Sequence, residues 1–271
     1  MVMLHDQVVF LNFDGSYEHQ KELTASIHHQ WIDFSNLRET SLYCSPRAFR
    51  IICDRLALIP DKGLAFLGSG NYHYAALALM REIVHPFTLV LFDHHTDLSK
   101  GQIGPLLSCG SWVYHALAAV PRLKKVIIIG PDPLSVRSAS SMIRRKVIVF
   151  PENRIPPGER IASVIPTKAV QISIDKDILS PRFVKTNWDQ GKLSIGQLCQ
   201  SIKELLSIKE VEEIDVCGEW PIKPHEHLNR TTLRRLQINE QCNLDIARIF
   251  LQSLNSHPQN RTEALRTHSD G

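Results

Sequence analysis

The chain has 271 residues, of which 43% are hydrophobic and 22% are charged, and its formal net charge is +3. These values are ordinary for a globular protein and leave room for one large α/β domain or two small ones. So small a net charge gives no argument for a nucleic-acid or anionic-membrane partner, and no apolar run approaches the length of a membrane span.

Short apolar runs alternate with helical patterns along the chain. Runs typical of buried strands are VVFLNF at 8–13, LAFLG at 64–68, FTLVLF at 87–92, KVIIIG at 125–130, VIVF at 147–150, AVQISI at 169–174 and VEEIDVCG at 211–218. Helical spacing of apolar residues occurs at 71–84, 111–119, 194–206 and 231–254. This alternation predicts a single doubly wound α/β domain with a mainly parallel sheet and helices on both faces.

The remaining segments are predicted to be loops or tail. Loops are expected at 41–50, 151–168 and 181–193, and the last follows a strand, where it can line a site. The domain is expected to span 1–255, and the polar segment 256–271 is predicted to be disordered.

The cysteines and the N-terminus favour a reducing cytoplasm. The six cysteines form no C-x-x-C pair, and Cys53, Cys199 and Cys217 lie in apolar contexts that predict buried thiols. The N-terminal residues enter a strand pattern without the basic region of a signal peptide.

Acidic and histidine residues follow four of the predicted strands. They are His73 after LAFLGSG, Asp93, His95 and Asp97 after FTLVLF, Asp175 and Asp177 after AVQISI, and Glu219 after IDVCG. The carboxyl ends of parallel strands lie along one edge of a sheet, so these side chains are expected to converge. The set exceeds what one zinc needs and suits two bridged ions such as manganese, about 3.5–4 Å apart, which supply hydroxide at neutral pH. Asp93 and Asp175 are the natural bridging ligands.

This pattern resembles the ureohydrolase family, which comprises arginase, agmatinase and formimidoylglutamase. The family signatures Gly-Gly-Asp-His-Ser, Asp-x-His-x-Asp and Ser-x-Asp-x-Asp read here as GSGNYHY at 68–74, DHHTD at 93–97 and SIDKD at 173–177. The resemblance runs from about residue 64 to 221. It implies one manganese held by His73, Asp93, Asp97 and Asp175, and a second held by Asp93, His95, Asp175 and Asp177. It also implies an arginase-like fold, a homo-oligomer, and contact of Glu219 with the substrate's guanidinium group.

The chain departs from the family pattern around the metal ligands. SCGSW at 108–112 places Cys109 where many members carry a proton-shuttling histidine, and His115 lies one helical turn beyond as a substitute. The loop after SIDKD reads ILSPRFVKTNWDQG, which makes Asn187 and Trp188 candidate substrate contacts. Asp132, in IIGPDP, is a further candidate on the same edge. The departures predict retained metal chemistry with a changed substrate, so arginine itself is not expected.

Simpler interpretations stand beside several of these roles. Glu219 can also be a structural acid that pairs with Lys or Arg. Cys109 can be a small buried thiol, and Trp188 can be a packing residue of its loop. His94, between two predicted ligands, is expected to point away from the metals.

The leading hypothesis is a dinuclear manganese hydrolase that cleaves a C–N bond of a guanidino, amidino or related amide compound, with Asp97 or a nearby shuttle protonating the leaving amine. Three alternatives remain. A DHH phosphoesterase requires a different order of motifs. A single-zinc deacetylase does not use the extra acids Asp97 and Asp177. A non-catalytic arginase-fold protein stays open because of Cys109 and the altered loop.

Overall fold

The computed structural model describes residues 4–100, 106–133, 136, 145–222, 226 and 229–256. Apart from Ser256, the predicted tail lies outside these ranges. The described strands are β1 (Gln7–Asn12), β2 (His29–Asp33), β3 (Tyr43–Cys44), β4 (Lys62–Phe66), β5 (Phe87–Phe92), β6 (Leu107–Ser108), β7 (Leu123–Ile129), β8 (Val147–Phe150), β9 (Ala169–Asp175) and β10 (Glu210–Cys217). The described α-helices are α1 (Lys21–Ser26), α2 (Pro46–Leu56), α3 (Ala75–Met80), α4 (Trp112–Ala119), α5 (Gly158–Ser163), α6 (Ile195–Ile208) and α7 (Arg230–Ser256).

Eight strands form one parallel sheet in the order β2-β1-β4-β10-β9-β5-β7-β8. The other two, β3 and β6, pair as a small antiparallel ribbon. Strands β4, β5 and β9 are buried along their whole length, as expected when both faces of a parallel sheet are covered. Apolar residues of α1, α5, α6 and α7 cover one face, and those of α2, α3 and α4 cover the other. The predicted doubly wound fold is confirmed.

All seven predicted strands are present, with bounds shifted by at most two residues. Strand β2 was not predicted because it lies at the sheet edge, where only Ile32 of HQWID is buried. The predicted helix at 71–84 is shorter in the structure, with a 3₁₀ turn at Gly70–Tyr72 followed by α3.

Two of the three predicted loops are wrong. The 41–50 segment contains β3 and the start of α2, whose N-terminus is capped by Ser45 accepting a hydrogen bond from the backbone N–H of Ala48 at 3.2 Å. The 151–168 segment contains α5. These helices are short or have a single apolar stripe, so the composition of their segments resembles that of loops. The 181–193 segment has no helix or strand and is a loop, as predicted.

Strand register brings the predicted ligands to one place. Phe92, at the end of β5, lies opposite Ile174 of β9, and Cys217 of β10 lies opposite Asp175. The segments after β4, β5, β9 and β10 therefore leave the sheet at the same level on neighbouring strands. None of the described helices combines the length and apolarity needed to cross a membrane.

Candidate metal centre

His73 lies at the centre of one group of ligand atoms. It follows the 3₁₀ turn after β4, and its side chain is buried. Its Nδ1 lies 3.1 Å from Asp97 Oδ2, 3.4 Å from Asp93 Oδ2 and 3.6 Å from Asp175 Oδ2. The structure therefore brings together the four residues that the resemblance assigns to the first ion.

His95 lies at the centre of a second group. Its Nδ1 lies 2.8 Å from Asp177 Oδ2 and 3.4 Å from Asp93 Oδ1. Asp93 thus presents one oxygen to each histidine, which is the arrangement expected of a carboxylate shared by two ions. His95 is 36% exposed, whereas the other members of both groups are buried, so the second group faces the opening of the site.

The charges of these groups do not balance within the chain. Burial and the neighbouring carboxylate of Asp93 raise the pKa of Asp97 to about 7, and burial with repulsion between carboxylates also raises the pKa values of Asp175 and Asp177. Asp93 Oδ2 is buried without a hydrogen-bond partner. Four carboxylates, two imidazoles and an unsatisfied buried oxygen suit divalent cations, so the donor set fits a metal centre.

Asp97 is held by contacts that sequence reasoning missed. Its backbone has φ 49°, which non-glycine residues rarely adopt, and the indole Nε1 of Trp112 donates a hydrogen bond to Asp97 Oδ2 at 2.6 Å. The same oxygen faces His73. Trp112 lies at the start of α4, after β6, and no motif of the sequence marked it as a partner of Asp97.

A buried polar chain fixes the orientation of His73. Ser173 Oγ donates to Asp215 Oδ1 at 2.5 Å, and it lies 2.9 Å from His73 Nε2. Because the single hydroxyl proton of Ser173 goes to Asp215, Ser173 accepts from Nε2–H, which leaves Nδ1 as the free ligand atom. Ser173 was visible in the SIDKD motif, but Asp215 within β10 gave no signal in the sequence.

Glu219 belongs to neither of the two ligand groups. It is completely buried, and Lys176, between the two ligands of SIDKD, forms an ion pair with its Oε1. Its oxygens also accept hydrogen bonds from three side-chain amides, those of Gln20 (2.9 Å), Asn239 (3.1 Å) and Asn243 (2.7 Å). The alternative that Glu219 is a structural acid is therefore supported by a specific partner, Lys176. Contact of Glu219 with a substrate stays a prediction.

The candidate proton shuttles differ in protonation. Burial raises the pKa of the half-buried Cys109 thiol to about 12, with the Asp97 carboxylate adding to the shift. Burial lowers the pKa of His115, whose Nε2 is buried without a hydrogen-bond partner. Neither residue belongs to a ligand group of the described chain. His94 also lies outside those groups, with its Nδ1 4.0 Å from Glu152 Oε1.

The 181–193 loop covers one side of the centre. The ring of Trp188 lies 5.8 Å from that of His95, and the side chains of Trp188 and Asn187 both donate to Asn71 Oδ1, at 3.2 and 3.1 Å. Gly70 permits this packing, since a Cβ there would lie 2.9 Å from both Asp175 Oδ2 and Trp188 Cδ1.

The third candidate substrate contact, Asp132, lies on the same edge and donates its backbone N–H to His94 O at 3.1 Å. All three candidate substrate contacts therefore lie near the ligands.

Solved ureohydrolases share this fold. A hypothetical agmatinase from Burkholderia thailandensis has a TM-score of 0.65 at 15% identity, covering 92% of this chain and 87% of that one. Proclavaminate amidino hydrolase from Streptomyces clavuligerus has a TM-score of 0.65 at 18% identity, with coverages of 90% and 92%. Agmatine ureohydrolase of Thermoplasma volcanium has a TM-score of 0.64 at 12% identity, with coverages of 94% and 92%.

These likenesses place the chain in the arginase-like α/β fold. In sequence, it is similar to an uncharacterized protein of Thermotoga maritima, with 27% identity over 245 residues, 86% of this chain and 91% of that protein. The sequence matches no protein-family model. Its place as a divergent ureohydrolase stays a prediction.

Proposed function

We propose that the protein is a dinuclear-metal hydrolase that cleaves a C–N bond of a guanidino, amidino or related amide compound. The single observation that carries this proposal is Asp93, which presents one oxygen to each of two histidine–carboxylate groups. The arginase-like fold of solved ureohydrolases supports the same class of chemistry. Two divalent ions, with manganese expected from the family resemblance, would supply hydroxide at neutral pH.

The residues of the chain divide into holding and proton-handling roles. His73, Asp93, Asp97 and Asp175 would hold one ion, and Asp93, His95, Asp175 and Asp177 the other. Trp112 and His73 hold Asp97 through Oδ2, which leaves Oδ1 outside both contacts and available for the proton that the leaving amine requires. Asn187, Trp188 and Asp132 are proposed to bind the substrate.

The environment of Glu219 bears on the substrate's charge. In the described structure, the Lys176 ammonium neutralises the Glu219 carboxylate and three amides occupy its oxygens. An acid in this state does not attract a guanidinium cation as a free carboxylate does. We therefore include uncharged amides in the proposed substrate class, beside guanidino and amidino compounds.

Metal stoichiometry combined with an activity screen tests the proposal. Wild-type protein, Asp175→Asn and the control Asp54→Asn, an exposed acid on α2, are loaded with Mn²⁺ and assayed for release of urea or ammonia from guanidino, formimino and amide compounds. The expected result is two equivalents of metal and hydrolysis in wild type and control, both lost in Asp175→Asn. One equivalent with deacetylation, or release of phosphate from phosphoesters, overturns it.

A further inference from the structure

Cys217 brings a thiol to the ligand group around His73. It is the last residue of β10 and lies opposite Asp175 in the sheet register, so the two side chains leave the sheet on the same side. Its Sγ lies 3.1 Å from Asp175 Oδ2. The ligand atoms of His73, Asp175 and Cys217 all lie within 4.8 Å of one another, and all three side chains are buried.

The backbone holds this thiol in place. Gly218 follows directly, with φ 92°, and a Cβ there would lie 2.6 Å from Asp175 Oδ1 and 2.8 Å from the Lys176 backbone nitrogen. Any other residue at 218 would push β10 away from Asp175. The glycine therefore permits the close approach that puts Sγ against a ligand oxygen.

The other described cysteines lie outside the candidate metal groups. Cys242, on α7, is also buried, but it packs in the apolar cluster between that helix and the sheet. Cys53 and Cys199 are only partly buried, contrary to the sequence-based prediction. Among the described residues, Cys217 alone of the cysteines belongs to a candidate metal group. A second observation at the same place is the buried Asp93 Oδ2, which faces His73 Nδ1 at 3.4 Å without a hydrogen-bond partner.

We propose that Cys217 is a thiolate ligand of the ion held by His73, which makes this site selective for a thiophilic metal such as Zn²⁺, Co²⁺ or Fe²⁺. The inference rests on the proposed metal centre and changes the expected metal at one of its two sites. Binding forms a metal–sulfur bond and releases the thiol proton to solvent, so the ligands of this ion include nitrogen, oxygen and sulfur. The His95 group has only oxygen and nitrogen ligands and keeps its preference for harder ions.

Cobalt spectroscopy on the full-length chain tests this inference without a substrate. Co²⁺ is titrated into metal-free wild-type protein, and a sulfur-to-cobalt charge-transfer band in the near ultraviolet is expected as the His73 site fills. Cys217→Ser should lose the band, whereas Cys242→Ser, the matched buried control, should keep it. The affinity of Cys217→Ser for Zn²⁺ should fall about 100-fold or more, because loss of an outer partner alone costs about 10–100-fold.

X-ray absorption of the zinc-loaded wild-type protein provides a readout that does not depend on whether a variant folds. A Zn–S distance of about 2.3 Å supports the inference. Two bound ions with no sulfur scattering and no charge-transfer band overturn it while leaving the proposed hydrolase standing. Failure of the wild-type protein to bind any divalent metal overturns both.

Discussion

Two acidic groups at one edge of the sheet, on strands separated by β9, satisfy their charges in opposite ways. Glu219, after β10, is buried among side chains that donate to both of its oxygens, and the Lys176 ammonium neutralises it. Asp93, after β5, is just as buried, but its Oδ2 has no hydrogen-bond partner, and the two imidazoles that face it are shared with three further carboxylates. A charge balanced within the chain serves the fold, whereas one left unbalanced calls for an external cation.

The largest effect is expected from neutralising the shared carboxylate. Asp93→Asn removes an oxygen anion from both ligand groups, so both ions should be lost and hydrolysis should fall about 1,000-fold or more, the scale of losing a central electrostatic group. Metal analysis after gel filtration and a hydrolysis assay measure this. Retention of two ions by Asp93→Asn would remove the distinction between the two acidic groups.

Breaking the balanced group should destabilise the fold. Lys176→Met leaves the Glu219 carboxylate buried without its cation, which typically costs about 3–5 kcal/mol in the free energy of unfolding. The double variant Lys176→Met/Glu219→Gln removes the charge as well and should recover most of that loss. Urea denaturation of the metal-free proteins measures both. Equal stability of Lys176→Met and wild type would contradict the structural role of the pair.

The unbalanced group should give the metal-free protein a distinctive pH dependence. Burial raises the folded-state pKa of Asp97 from 3.8 to about 7 and raises those of Asp175 and Asp177, so the folded chain keeps protons that the unfolded chain releases. Stability should therefore fall as pH rises from 3.8 to about 7.

Thermal melts of the protein in chelator at about pH 5 and about pH 7.5 test whether stability falls as pH rises. These two values lie within and above the range set by the raised carboxyl pKa values. Added Mn²⁺ should raise Tm more at the higher pH, because protons compete with the metal. Asp97→Asn should flatten the chelated profile. A Tm that rises with pH in chelator would show that the carboxylates are balanced within the chain after all.

A smaller effect is expected from the partner of Asp97. Trp112→Phe removes the indole donor while keeping an aromatic ring in the core, and metal affinity should fall about 10–100-fold. Competition with a chelating dye measures this. Tyr114→Phe, on the same helix, is the control and should bind metal as wild type does.

The smallest effect is expected at Cys109. With a pKa of about 12, its thiol keeps its proton at neutral pH, so Cys109→Ser should change kcat by less than about threefold. If Cys109 were the proton shuttle, its replacement would lower kcat by about 100-fold or more. A loss of that size would restore Cys109 to the catalytic residues, and the His115→Asn variant then distinguishes the two candidates.

Prediction from sequence succeeded where a local pattern carries the information. The apolar runs at 87–92 and 147–150 match β5 and β8, because a strand buried on both faces is apolar at every position. Prediction failed at β2, which has a single buried residue, and at α2, which has one apolar stripe. Segments with so few buried residues resemble loops in sequence. The candidate ligand histidines and carboxylates were found because each lies at the carboxyl end of a strand or in the segment that follows it.

The sequence by itself determined the doubly wound fold and the convergence of His73, DHHTD and SIDKD on one edge, since strand ends fix these positions locally. Only the tertiary structure decided what surrounds them. Lys176 meets Glu219, Trp112 holds Asp97, and Asp215 orients His73 through Ser173. These partners are separated by 15 to 100 residues in the chain. Their contacts depend on sheet order and helix packing, which no local spacing specifies.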